Sequence, residues 1–273
     1  MTGHQLDLFS DAAARTEPSS PRSGAGQPVA AVDKDDAALI AAIPETSLSD
    51  CSLLAAEAGR RRLAGAIPAL AALCRRFTGF GADRIVPEQA AALRALAEIG
   101  GHEAGQAVSA MISRAIVQGP TLVVAVDAAA RVHAPLPPNV LGSLLQHIDP
   151  GIRAAACRCA RRSPEVIALL IGLLDDRDRT VAISAACALG RLGRSDARPA
   201  LKQLLREAPS RDVVESVSAI ADEECMVLLG RLARTTPDLA DAAIDALESI
   251  DHPRASTIAA AARRPPSSPV NSG

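Results

Sequence analysis

The sequence predicts an all-α, right-handed solenoid of about seven short helix pairs, and three observations predict it. Apolar residues recur at helical spacing in segments of about a dozen residues, each closed by Gly, Pro or a polar turn. Those segments return at a step of about 30 residues, which is the period of a stacked helical array. The core-forming residues are Ala, Leu, Ile and Val: 48% of the chain is hydrophobic, yet it has three Phe and no Trp or Tyr. Small side chains let helices approach closely, which suits stacked hairpins better than a wide globular interior.

The clearest unit is Arg179–Leu205. In its first helix Val181, Ala185, Ala188, Leu189 and Leu192 fall on one face, and Gly193 stops the helix. Ser195 and Asp196 stand where caps for a second helix belong, and Ala197, Leu201, Leu204 and Leu205 repeat the apolar stripe. Two such helices cannot bury both faces alone, so the unit requires neighbours.

Before the array, residues 1–35 are rich in Ser, Pro, Gly and charge and are expected to be disordered. The array is expected over 36–264, followed by a second disordered tail, 265–273. Asp36–Ile43 reads as a short helix closed at Pro44. Cys51–Arg62 then pairs with Ala66–Phe77, and the loop from Thr78 to Pro87 is the longest interruption. Glu88–Ile99 pairs with Glu103–Ile116, and Thr121–Val132 with Asn139–His147 across a Pro-rich turn. Gly151–Arg162 pairs with Glu165–Leu174, and the Arg179 unit follows. Arg211–Ile220 pairs with Glu223–Ala233, and Leu239–Ile250 with Arg254–Arg263. First helices thus begin near residues 88, 121, 151, 179, 211 and 239, in steps of 33, 30, 28, 32 and 28 residues. In this register Cys157 matches Cys187, Ala95 matches Ala188, and Leu189 matches Leu247.

The run from Leu173 to Val181, the Ala-Ala-Cys-Ala-Leu-Gly-Arg-Leu-Gly beginning at Ala185, and Ala197-Arg-Pro-Ala-Leu resemble the HEAT repeat family, in particular its short PBS-lyase-like form. The resemblance covers about Asp50 to Arg263, is strongest from Gly151 to Leu205, and is degenerate before Thr121. It implies an interaction scaffold, with acidic turn residues paired to the Arg of the next helix: Asp149 with Arg153, and Asp175 or Asp178 with Arg179. The lyase side of the family handles bilin chromophores. A pocket for a large planar pigment would use aromatic side chains, and only Phe77 and Phe80 lie between residues 50 and 263. The same shortage of aromatic residues counts against a helical-repeat DNA glycosylase.

Net charge is −2, so composition supplies no global attraction to nucleic acid or anionic membrane. Locally, Gly151–Arg211 holds 12 Arg and Lys against 6 Asp and Glu, whereas Asp212–Arg264 holds 5 against 10. Six Cys with no signal peptide fit reduced thiols in a cytoplasmic protein, and no apolar run reaches the roughly 20 residues a bilayer demands.

No catalytic constellation emerges, and neither a cofactor nor a metal is expected. The five His are scattered and read as solvated or capping residues at helix ends. Cys157 and Cys159 point about 200° apart on a helix and read as core residues rather than metal ligands. There is no Gly-rich phosphate loop after a strand, and Gly79-Phe-Gly81 reads as a turn. Arg131, Arg161, Arg162, Arg191 and Arg194 fall near one helix end in three successive repeats, which makes them candidates for a local phosphate-contacting patch and weak DNA contact.

Gln5-Leu6-Asp7-Leu8-Phe9 resembles the bacterial sliding-clamp-binding peptide, Gln-Leu-Ser/Asp-Leu-Phe, at all five positions. The resemblance makes Gln5 the polar anchor, Leu6 a flanking contact, Asp7 a tolerated spacer, and Leu8 with Phe9 the apolar plug. A short exposed segment suffices for such a ligand. The expected function is a non-enzymatic adaptor that docks on the DNA sliding clamp through Gln5–Phe9 and offers its solenoid to another protein partner, with no membrane role. Two alternatives stand beside it: a lyase-like enzyme or accessory factor acting on a cofactor-bearing protein, and a general protein-binding scaffold whose N-terminal peptide only caps the solenoid.

Overall fold

The computed structural model describes residues 34–45 and 48–263. The peptide Gln5–Phe9 and nearly all of the two predicted tails lie outside the described residues. Among the described residues every regular element is helical. Helix α1 (Asp36–Ala42) precedes seven pairs. The first three pairs are α2 (Leu48–Arg60) with α3 (Ile67–Arg76), α4 (Pro87–Ile99) with α5 (Gly101–Ser113), and α6 (Pro120–Arg131) with α7 (Pro138–Leu145). Next come α8 (Pro150–Arg158) with α9 (Pro164–Gly172), and α10 (Arg179–Arg191) with α11 (Arg198–Glu207). The last two are α12 (Arg211–Val217) with α13 (Glu223–Thr235), and α14 (Pro237–Ser249) with α15 (Pro253–Arg263).

The first helices of the pairs, α2 to α14, stack on one another without a break and form one layer. The second helices form the other layer, in which α7 packs on α9, and α11 on α13 and α15 follows, while α9 and α11 barely touch. This is the predicted α-solenoid. Helix α2 begins at Leu48, three residues before the predicted Cys51. From α4 on, first helices begin at the predicted residue or one or two before it, and every displaced start falls on a proline: Pro87, Pro120, Pro150 or Pro237. The first helical position needs no amide hydrogen, so proline costs nothing there and its fixed φ favours the turn.

Helix ends follow a shared device. After α2, α5, α6 and α10 the chain passes through one residue with positive φ: Arg62, Ala115, His133 and Gly193. The next residue then bonds back across the last turn, as in Leu63 N to Ala58 O (3.0 Å) and Arg194 N to Leu189 O (2.9 Å). These are Schellman closures, and only at Gly193 does the chain use the residue that takes this conformation without strain.

The core is built as predicted from small residues. Ala95, Ala125, Ala155, Ala185, Ala188 and Ala243 are buried between layers. Gly190 shows how close the stacking is, since a Cβ there would stand 2.3 Å from Ser216 O on α12. Among the buried polar residues, none of them anticipated, Gln89 makes the most contacts between helices. Gln89 donates from Nε2 to Cys74 O (3.0 Å), Phe77 O (3.3 Å) and Ile116 O (3.2 Å), tying the ends of α3 and α5 to α4.

Three local expectations are corrected. Ser195 and Asp196 do not cap α11 with their side chains; they form a 3-10 turn leading into it, and Asp196 pairs instead with Arg194. Helix α8 stops at Arg158 rather than Arg162, because Pro164 excludes Ser163 from helical geometry and the intervening residues form the turn. The acidic turn residues Asp149 and Asp178 cap α8 and α10 by accepting from backbone amides, and Arg153 reaches forward to Asp176 instead of pairing with Asp149. A carboxylate committed to two amides at its own helix start is poorly placed to receive a guanidinium as well.

Candidate functional site

Among the described residues, the open face of the first-helix layer and the adjoining turns carry several exposed arginines with no ion pair. Counted from the caps Val86 and Gly119, residues Ala91, Arg94 and Glu98 of α4 correspond to Val124, Asp127 and Arg131 of α6. Helix α8 adds Arg158, whose guanidinium pairs with Asp127. Between these three helices lies a cavity of about 400 Å³, floored by Ala97, Val124 and Ala128 and rimmed by Arg94, Arg131 and Arg158. Farther along, the same face turns acidic, with Glu215 on α12 and Asp241, Asp245 and Glu248 on α14 exposed. The nearby Arg211 is bonded to Glu215 at 2.8 Å.

The five arginines expected in a patch do lie along one edge of the solenoid, where first helices turn into second helices. Arg131 ends α6, Arg161 and Arg162 occupy the α8–α9 turn, Arg191 ends α10, and Arg194 sits in the α10–α11 turn. They differ in availability. Arg161 donates from Nη2 to His133 O (2.5 Å) and Ala134 O (3.4 Å), closing the end of α6 from the next repeat. Arg191 donates from Nη1 to Ser216 Oγ (3.2 Å), and Arg194 is paired with Asp196 at 3.3 Å. Arg131 and Arg162 are exposed with no ion pair among the described residues. Arg162 Nη2 lies 3.7 Å from where a Cβ on Gly193 would stand, so it sits against the following turn. The edge therefore offers two free guanidinium groups, with Arg94 beyond them on the open face. Sequence reasoning missed Arg94 and the Arg158–Asp127 pair because it aligned repeats on Arg191. Counting from the caps Val86 and Gly119 puts Arg94 in register with Asp127.

The remaining candidates resolve into structure. All six Cys are buried, and burial pushes the thiols of Cys74, Cys157 and Cys159 up to about 12. A thiol held protonated at that level is a core residue and not a nucleophile. His147 and His252 accept through Nδ1 from the amides of Asp149 (3.0 Å) and Arg254 (3.1 Å), which is the capping role expected of helix-end histidines. His102 bonds to Gln106 at 2.8 Å. Among the described residues no group of three or more His, Cys, Asp or Glu is placed to hold a metal ion. No described helix is long and apolar enough to cross a membrane.

At the N-terminal end, Phe77 and Phe80 meet edge to face, with ring centroids 6.3 Å apart, on the long loop before α4. A cavity of about 370 Å³ runs beside them, and another of about 440 Å³ lies between α2 and α4. These grooves, like the one near Arg94, have small apolar floors and charged rims.

A family model described as HEAT repeats matches residues 137–221, from α7 to the end of the 3-10 turn after α12. No curated protein matches the chain. Nine chains of solved structures match it, two of them as follows. The crystal structure of Escherichia coli YibA is 12% identical, covers 87% of this chain and 99% of its own, and has a TM-score of 0.42. An engineered protein is 21% identical, covers 78% of this chain and 98% of its own, and has a TM-score of 0.34.

Proposed function

We propose that this chain is a non-enzymatic adaptor, held at the bacterial DNA sliding clamp by Gln5–Phe9 and presenting its HEAT-like solenoid to a further protein and to nearby DNA. The observation that carries the scaffold half is the unbroken stack of first helices, which holds shallow grooves and fixed arginines on one open face. The clamp half rests on the peptide sequence, in which Leu8 and Phe9 supply the apolar plug and Gln5 the polar rim contact. The resemblance to the lyase-like branch contributes the scaffold to this reading and not the activity.

Arg131 and Arg162 are the members of the turn edge free to meet phosphate, while Arg161, Arg191 and Arg194 hold the edge in shape. A tether of this kind needs only weak DNA contact, because the clamp keeps the solenoid close to the duplex and raises its effective concentration.

The test is a titration of the full chain with purified sliding clamp, beside a variant carrying Leu8→Ala and Phe9→Ala. Micromolar binding lost in the variant, with an unchanged melting temperature, supports the adaptor. Equal binding by both chains, or none by either, removes the clamp from this function.

A further inference from the structure

The α2–α4 groove and the loop cavity beside it show large apolar side chains on a pinned surface. Phe80 is 60% exposed and Ile85 49% exposed, and Ile85 lines both the 440 Å³ and the 370 Å³ cavities. Their loop is firmly held. Val86 N donates to Thr121 Oγ1 at 2.9 Å, Gln118 Nε2 donates to Phe80 O at 3.4 Å, and Gly119 is packed so closely that a Cβ would stand 2.2 Å from Gly81 O. Exposed apolar groups on a fixed frame mark a docking surface.

We infer that the occupant is the chain's own segment Asp7–Asp11, so that the solenoid holds the clamp-binding peptide when the clamp is absent. Only the consequence for the clamp rests on the proposed function; the docking itself does not. Three observations select this occupant. The first is position. Arg61 Nη1 grips Lys34 O at 2.8 Å, fixing where the N-terminal segment leaves α2. Ser52, on the wall of the larger cavity, lies on the same helix nine residues earlier, or about 14 Å along its axis.

The second observation is length. Phe9 is 25 residues before Lys34, and a connection of that length spans roughly 25–30 Å as a coil, enough to reach the groove without strain. The third is chemistry. Leu8 and Phe9 match the apolar surface of Ala56, Ala91, Ile85 and Phe80, and Asp7 and Asp11 flank them on either side. Arg84 and Arg94 stand at the rims with no ion pair among the described residues. Glu88 and Glu98 share those rims, and Glu98 is turned onto Gly59 of α2, so the apolar fit supplies the affinity and the arginines set direction.

A short tether makes weak docking effective. Local concentrations reach the millimolar range, so a millimolar groove affinity already occupies about half of the peptide. Clamp affinity then falls in proportion to the free fraction.

The experiment uses the full chain and the Ile85→Asp variant. Chymotrypsin cleavage after Phe9, followed by mass spectrometry, is expected to be about twofold faster in Ile85→Asp than in the unmodified chain. Equal rates overturn the proposal. If Ile85→Asp lowers the melting temperature, Phe80→Ser replaces it and is read the same way. In parallel, Ile85→Asp is expected to bind the clamp about twofold more tightly, approaching the isolated peptide 1–15. A peptide that ignores the clamp defeats the clamp reading alone, and the cleavage ratio still decides the docking.

Discussion

Arg153 on α8 and Asp176 in the α9–α10 turn form a two-point ion pair, Nε to Oδ2 at 2.9 Å and Nη2 to Oδ1 at 2.8 Å. The same guanidinium donates from Nη1 to His147 O (2.9 Å) and Ile148 O (3.0 Å). One side chain thereby joins the turn before α8 to the turn before α10, and the hydrogen bonds from Arg153 hold the Asp176 carboxyl below its usual range. Both side chains are largely buried, at 17% and 9% exposure. Arg153→Ala would leave a carboxylate and two carbonyls without this partner, and is expected to cost about 2–3 kcal/mol in urea unfolding. Arg153→Lys should recover less than half of that, because one ammonium cannot reproduce the planar fork.

Ala115 closes α5 at a φ of 50°, in the position that Gly193 occupies after α10 with a φ of 73°. An L side chain is strained there and glycine is not. Ala115→Gly is expected to stabilise the fold by about 0.5–1 kcal/mol, and Gly193→Ala to destabilise it by a similar amount. Paired thermal melts check both signs; a loss of stability in Ala115→Gly would refute the argument.

Asp222 caps α13 by accepting from Cys225 N (3.1 Å) and pairs with Lys202 Nζ at 2.6 Å. Partial burial alone would raise its pKa, but the bonds from Lys202 and the Cys225 amide outweigh it and hold the carboxyl at about 2. The folded value lies below the ordinary aspartate value of about 3.9, so the ionised group stabilises the fold above that pH. The contribution is lost as pH falls from about 4 towards 2. Asp222→Asn keeps an acceptor for the cap and removes the charge. Its stability deficit against the unmodified chain should be present at pH 7 and shrink at pH 3; a deficit unchanged between them would show that the charge does not contribute.

Neutralising Arg131 and Arg162 together tests the DNA-facing edge. Each phosphate contact contributes about 0.9 to the slope of log affinity against log salt, so the double alanine variant should lower that slope by roughly 1.8. Arg161→Ala is expected instead to reduce stability, since it removes the bonds to His133 O and Ala134 O. A slope unmoved by the double change would place any DNA contact elsewhere.

Much of this architecture was legible because its signals are local. The stripe through Val181, Ala185, Ala188 and Leu189, and the return of the pattern about 30 residues later, require only helical geometry and the need to bury one face. The burial of Cys157 and Cys187 followed from the same register. Which of the five candidate arginines are bonded could not be read from the sequence, because Arg161 and Arg191 bond to atoms in neighbouring repeats. Gln89 gave no signal either, since its partners are the carbonyl ends of α3 and of the segment after α5, which its own helix does not specify.

The sequence by itself therefore determined the helix pairs, their order and their small-residue core. Tertiary structure decided the partners: Arg153 with Asp176, Arg158 with Asp127, and the two adjoining cavities that share Ile85, one between α2 and α4 and one beside Phe80. The physical reason is one of range. Helix period and caps are written within a dozen neighbouring residues, whereas contacts between repeats depend on how far each hairpin is displaced and rotated on the last. Close packing of many small side chains fixes that offset only once the whole stack has formed.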